Sequence, residues 1–154
     1  MNRMNHALPP PHAWHRTLQD RLRRVVLALP VQPPSFVAAR LLDLALLPRL
    51  PADARRALAQ RTVEIVVADL GLRLRLQLDD GGFRVAPAGA AVALRIVAPA
   101  ASFVRLMRGE DDADRLFFER VLVMEGDTEM GLVLKNTLDA IGPLWPLPTA
   151  GAAR

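Results

Sequence analysis

From residue 61 onward, apolar and polar positions alternate with a period of two. Val63, Ile65 and Val67 fall on one side, and Leu72, Leu74, Leu76 and Leu78 alternate with Arg73, Arg75 and Gln77. Successive side chains of a strand point to opposite faces, so the pattern predicts two antiparallel strands with one wet face. Asp69-Leu70-Gly71 supplies the turn between them. Asp79-Asp80-Gly81-Gly82 supplies a second turn, leading to a strand around residues 83–86. The run AVALRIVAP predicts a fourth strand stopped by Pro99, and VLVME, residues 121–125, a short fifth.

On either side of these strands the period lengthens to that of a helix. Residues 16–29 place Leu18, Leu22, Val25, Val26 and Leu29 at steps of three and four, with Arg21, Arg23 and Arg24 on the remaining surface. That is a basic amphipathic helix, ended by Pro30, Pro33 and Pro34. Ser35 is the expected N-cap of a second helix carrying Phe36, Leu41, Leu42, Leu46 and Leu47, and residues 52–60 predict a short third. After the fourth strand, AASFVRLMRG puts Phe103, Leu106 and Met107 on one side, and DDADRLFFER adds Leu116 and Phe117 behind Asp111 or Asp112 as a cap. Residues 127–141 predict the last helix, with Met130, Leu134, Leu138 and Ile141 in one stripe and Gly142-Pro143 ending it. Helices, four strands, two short helices, a strand and a helix make an α+β single domain, an antiparallel sheet with helices gathered on one face.

Composition narrows the chemistry such a domain can perform. The 154 residues include no cysteine or tyrosine, and the three histidines, His6, His12 and His15, all stand in the first fifteen residues beside a proline-rich stretch expected to be a flexible tail. Disulfides, thiolate metal sites and a cysteine nucleophile are excluded, and the strand-bearing body holds only carboxylates and Lys135 as candidate catalytic groups. The charge is uneven. Residues 1–60 carry nine Arg against three Asp, whereas the remainder carries eleven basic against thirteen acidic residues. A basic front suits an anionic surface, and membrane is favoured over nucleic acid because the body has no glycine-rich or aromatic RNA-reading motif and no zinc-finger spacing. The most apolar stretch, residues 35–50, is interrupted by Arg40, Asp43 and Pro48, so it does not predict a membrane span. RLRRVVLALPV is too short in its apolar part for a secretory signal, and the chain is expected in the cytoplasm, peripheral at the inner face of the cytoplasmic membrane.

Two features of the C-terminal third compete for a functional role. Glu125, Asp127 and Glu129 alternate as metal ligands or an acid/base pair could, but no calcium-type loop surrounds them, and the expectation is no cofactor and no metal. Their positions fit the start of a helix instead: Asp127 as N-cap, with Thr128 and Glu129 in the first turn, where the helix dipole favours negative groups. EDDAD is expected to be a solvated helix start and Lys135 a lone surface charge. The second feature is a surplus of apolar residues. Leu132 lies off the main stripe of the last helix, and adjacent Phe117 and Phe118 cannot share one narrow face. Such faces are covered either by a broad core contact or homodimer interface, or by a pocket holding a lipid and lined by Phe103, Leu106, Met107, Leu116, Phe117, Phe118, Leu132 and Leu138.

The block LFFERVLVMEGDTEMGLVLKNTLDAI resembles the signature of sterol carrier protein-like lipid-binding domains, in particular the bacterial accessory factors of oxygen-independent ubiquinone biosynthesis. The residues that carry it include Phe117, Phe118, Arg120, Glu125, Gly126, Asp127, Thr128, Glu129, Gly131, Lys135, Asn136 and Asp139. It extends to RTVEIVVADLGLRLRLQL and more loosely to the leucine-rich residues 29–50. The resemblance implies a mostly antiparallel sheet of about five strands covered by helices around an apolar cavity, with N-terminal helices. It further implies a non-catalytic factor that holds an isoprenoid quinone precursor or a phospholipid and presents it to hydroxylation enzymes of ubiquinone biosynthesis. The chain then divides into a tail at 1–15, a helical segment at 16–60, a lipid-binding domain at 61–145 and a flexible end at 146–154. The helical segment would touch anionic membrane through Arg21, Leu22, Arg23, Arg24 and Val25. Two other readings stay open at this level: a scaffolding subunit docking proteins through its apolar faces, and a small enzyme using Glu125, Asp127 or Glu129.

Overall fold

The computed structural model describes residues 32–145. The expected tails, the helix at 16–29 and its membrane-contact residues Arg21, Leu22, Arg23, Arg24 and Val25 lie outside the described residues.

Five strands form one sheet in the order β3-β2-β1-β4-β5. These are β1 (Thr62–Val67), β2 (Leu72–Asp79), β3 (Gly82–Val85), β4 (Val92–Ala98) and β5 (Val123–Gly126). Three of the four pairings are antiparallel, and only the central β1/β4 pair is parallel, with Ile65 opposite Ile96. The β1-β2-β3 meander follows from the two predicted turns, because short connections can only return a strand antiparallel to its predecessor. Nothing in the local pattern of β4 says which strand it joins.

The helices are α1 (Gln32–Ala45), α2 (Ala52–Leu58), α3 (Ala100–Arg108), α4 (Ala113–Phe118) and α5 (Thr128–Ile141), with a 3-10 turn at Leu47–Arg49. One face of the sheet and these helices enclose the core, in which Leu46, Leu58, Leu78, Leu94, Ile96, Leu116, Leu122, Met130 and Leu134 are buried together. The opposite face keeps the polar half of the alternation. There the Glu64 carboxylate is covered by Arg95, at 2.7 Å, and Arg75, at 4.0 Å, and Arg95 reaches on to Glu125.

Ser35, expected to cap α1, lies inside it, because Pro33 and Pro34 fit the first turn of a helix, where no backbone N–H has an intrahelical partner. Ser35 is buried, and its Oγ accepts a hydrogen bond from the Arg75 backbone N–H of β2 at 3.1 Å. Asp43, two turns on, accepts from the Phe83 N–H of β3 at 2.6 Å. Helix α1 thus satisfies backbone donors along the β2/β3 side of the sheet that would otherwise invite another strand. Gly82 allows the approach. Its φ is +121°, and a Cβ there would stand 2.6 Å from Asp43 Oδ1.

Candidate ligand cavity

The core is not filled. Between the inner face of the sheet and the helices lies a cavity of about 170 Å³. Native interiors pack like organic crystals, with few voids larger than a water molecule. An engineered apolar cavity of ~150 Å³ is enough to bind benzene. The floor is the inward half of the strand alternation: Val63 and Ile65 of β1, Leu76 and Leu78 of β2, Phe83 of β3, Ile96 of β4 and Met124 of β5. Helices α1 and α2 supply Leu42, Leu46 and Leu58, and α5 supplies Leu134 and Leu138 one turn apart. Helix α3 closes one side with Phe103, Leu106 and Met107, although none of its own residues is buried. It is held at its C-terminal end, where the Met107 carbonyl accepts from the N–H groups of Leu144 and Trp145 at 2.8 and 2.9 Å.

Two polar residues interrupt the wall, Arg61 and Gln77. Arg61 stands where the chain leaves α2 for β1, and its guanidinium donates to the carboxylate of Asp127. Asp127 is the N-cap of α5: its Oδ1 accepts from the Met130 N–H at 2.8 Å. That backbone hydrogen bond first, and Arg61 second, hold its carboxyl below the usual carboxylate range. Gln77 is buried and donates to the Gln60 carbonyl at 2.6 Å. Gln60 itself has a positive φ of 59°, an uncommon conformation for a residue with a side chain, and it sits directly beside Arg61.

Of the eight apolar residues expected around a pocket, Phe103, Leu106, Met107 and Leu138 line the cavity and the other four do not. Leu116 is buried in the core with Ala113, three positions before it, and that pair defines the inward side of the short α4. Phe117 and Phe118 follow on the outward side, with Phe118 79% exposed and the two rings edge to face at 6.1 Å between centroids. Leu132 is exposed because α5 turns Met130, Gly131 and Leu134 to the sheet, and a residue two positions from Met130 and Leu134 points away. Arg61, Gln77, Leu42, Leu46 and Leu58 line the cavity without having been expected around a pocket. The leucines carried a helical-period signal of burial, but an arginine opening a strand carries none.

The charged groups behave more specifically than a solvated surface. Thr128 begins α5 and Glu129 lies in its first turn. Lys135, expected to be a lone surface charge, pairs with Asp114 at 2.5 Å and Asp139 at 3.6 Å, and the bond to Asp114 foremost raises its pKa. In EDDAD, Asp112 caps α4 by accepting from the Arg115 N–H at 2.6 Å. Asp111 is not solvated: its carboxylate is buried between the guanidinium groups of Arg105 on α3 and Arg115 on α4. Among the described residues no group of three or more His, Asp or Glu side chains is placed to hold a metal. No helix of the described residues is long and apolar enough to cross a membrane.

Among known proteins, the ubiquinone biosynthesis accessory factor UbiT of Escherichia coli K12 is 37% identical to this chain over 81 residues, covering 53% of the chain and 46% of UbiT. The aligned stretch therefore spans about half the length of that relative. Two solved structures are similar at low identity. A protein described as UbiJ-SCP2 ubiquinone synthesis protein matches with a TM-score of 0.47 and 14% identity, over 86% of this chain and 99% of its own. The sterol carrier protein domain 2 of Helicoverpa armigera matches with a TM-score of 0.48 and 13% identity, over 71% and 91%. Residues 43–139, from the last turn of α1 almost to the end of α5, match the SCP-2 sterol transfer family, and the chain belongs to that family.

Proposed function

We propose that this protein is a non-catalytic lipid-binding accessory factor of ubiquinone biosynthesis, working where the hydroxylations proceed without oxygen. It holds an isoprenoid quinone precursor, or a phospholipid, in its cavity and presents it to the hydroxylating enzymes. The observation that carries this reading is the apolar cavity itself, a void of about 170 Å³ whose wall is leucine, isoleucine, valine, phenylalanine and methionine apart from Gly142, Arg61 and Gln77. Leaving such a volume unpacked costs roughly 24 cal/mol per Å³, or about 4 kcal/mol here, which a domain keeps only if the space is used. The name of its 37% identical relative supports the pathway.

The exchange is with membrane. Residues 16–29 would lie on anionic lipid, where each of Arg21, Arg23 and Arg24 adds about 1 kcal/mol near the surface while Leu22 and Val25 rest in the headgroup boundary. Because bilayer and cavity are both apolar, transfer between them gains little, and binding is reversible. A tail longer than the cavity requires a wall that gives way, and α3 is the one α-helix of the described residues with no buried residue.

Gentle purification followed by lipid extraction and mass spectrometry tests the reading. Co-purification of a prenylated aromatic or phospholipid at up to one per chain is expected. Protein that is consistently lipid-free, and takes up neither class from vesicles, would sink it. A scaffolding role is favoured by one separate observation, the exposed Phe117, Phe118 and Leu132 outside the cavity. In that case Phe118→Ser abolishes a stable complex with the biosynthetic enzymes while lipid uptake is unchanged.

A further inference from the structure

If the cavity holds an amphiphile, as proposed above, the polar head has few places to go. The floor, the helical walls and the α3 side offer apolar side chains, and the polar contacts converge where α2 hands over to β1. Arg61 is the one charged residue in the wall among the described residues. It is 39% exposed and therefore stands at an opening rather than at the bottom. A guanidinium has five N–H donors, and that of Arg61 uses one nitrogen, Nη2, on Asp127, so the other two carry donors with no hydrogen-bond partner among the described residues. The joint is firmly built. Gln60, held at positive φ, donates its backbone N–H to the Leu78 carbonyl at 2.9 Å and receives the buried Gln77 side chain on its own carbonyl.

The pairing with Asp127 decides what this group can read. A bare arginine at the mouth of an apolar cavity would favour phosphate or carboxylate, which it binds bidentately. Here its positive charge is already compensated by a carboxylate that is itself held in the ionised form by the α5 cap. An incoming anion would meet Asp127 as well as Arg61, and the like charges repel. An uncharged oxygen acceptor meets only the spare N–H donors.

We propose that Arg61 reads the headgroup of the bound lipid, and that its compensation by Asp127 selects an uncharged ring oxygen, a quinone carbonyl or a phenol, over a phosphate or carboxylate head. This rests on the cavity being the lipid site. The test measures dissociation constants of delipidated full-length protein for three probes with the same decyl tail: decyl-benzoquinone, decyl phosphate and decane. Wild type is expected to prefer the quinone to decyl phosphate by at least tenfold. Arg61→Met, which keeps an unbranched apolar stem, should weaken the quinone about tenfold, the scale of a hydrogen bond to a charged donor, and leave decane unchanged. Asp127→Asn retains an N-cap residue and uncovers the arginine, so it should move the preference toward decyl phosphate by about tenfold.

If neither variant alters the quinone-to-phosphate ratio while decane still binds, the inference is overturned and the cavity reading survives. If none of the three probes binds wild type, the cavity reading falls and this inference falls with it. Circular dichroism of each variant establishes that it is folded. Should Arg61→Met not fold, Arg61→Leu replaces it, with the same expected loss of quinone affinity because the spare N–H donors are gone, and an unchanged affinity overturns the inference.

Discussion

Val63 offers a direct measurement of whether the space beside the sheet is real. It lies on the inner face of β1, opposite Leu76 of β2 and Leu94 of β4, and forms part of the cavity floor. Val63→Ile keeps the β-branch, so strand propensity is unchanged, and adds one methylene directed into the cavity. If room exists, that methylene is buried without strain and stabilises lipid-free protein by up to about 0.8 kcal/mol, a fifth of the roughly 4 kcal/mol that the void represents. For a chain of this length the melting temperature should rise by about 2–3 °C. Differential scanning calorimetry on delipidated protein reads the shift, and a vesicle uptake assay run in parallel should show reduced lipid capacity. Val63→Phe should carry both effects further. In a well-packed core the same extra methylene costs about 1–3 kcal/mol by overpacking, so a melting temperature lowered by several degrees would refute the cavity.

Three further outcomes are expected. Gly126→Ala should be strongly destabilising, by about 1–3 kcal/mol for backbone strain with a steric term added, because the residue has φ of +111° and a Cβ there would stand 2.4 Å from the Ala93 carbonyl oxygen. An unchanged urea midpoint would mean that β4 and β5 are not paired in this register. Leu94→Ala, which removes a side chain 1% exposed and in contact range of Gly131, should cost about 2–5 kcal/mol in equilibrium urea unfolding with little change in the slope. The Asp127 carboxyl is held below its ordinary pKa, so its contribution is complete above the unfolded value, near ~4, and is lost as pH falls through the native value. The urea midpoints of wild type and Asp127→Asn should therefore differ at pH 7 and converge as the pH falls through the native value, and a pH-independent difference would contradict the stabilisation of this carboxylate by the Met130 N–H and Arg61.

Much of the molecule was legible in one dimension because its signals are local. Alternation along residues 63–78 and the glycine-rich turns at 69–71 and 79–82 suffice for a three-stranded meander, since the pleat and the turn geometry need no distant partner. Asp127 and Asp112 cap α5 and α4 through N–H groups three residues away, a distance within reach of any chain that starts a helix there. The inward stripe of α5 was likewise visible as a 3.6-residue period in Met130, Leu134 and Leu138.

Other features depend on which elements meet. Periodicity says that a residue lies on an apolar face, not whether that face looks at a cavity, a filled core or solvent. Phe118 and Leu132 are as apolar as Phe103 and Leu106, yet only the latter two face the void, because α3 lies across the sheet while α4 and α5 turn their other sides outward. The parallel pairing of β4 with β1 is a choice between strand edges that are equivalent in sequence, and it is made by the short exposed connection from β3 to β4, whose Ala90 carbonyl accepts from the Arg75 guanidinium. Ser35 meets a β2 amide 40 positions away, Lys135 meets Asp114, and Arg61 meets Asp127 across 66 positions of chain. Polar side chains carry no periodic signature of their partners. Their roles appear only when the folded backbone has brought donor and acceptor within hydrogen-bond distance and withdrawn the competing water.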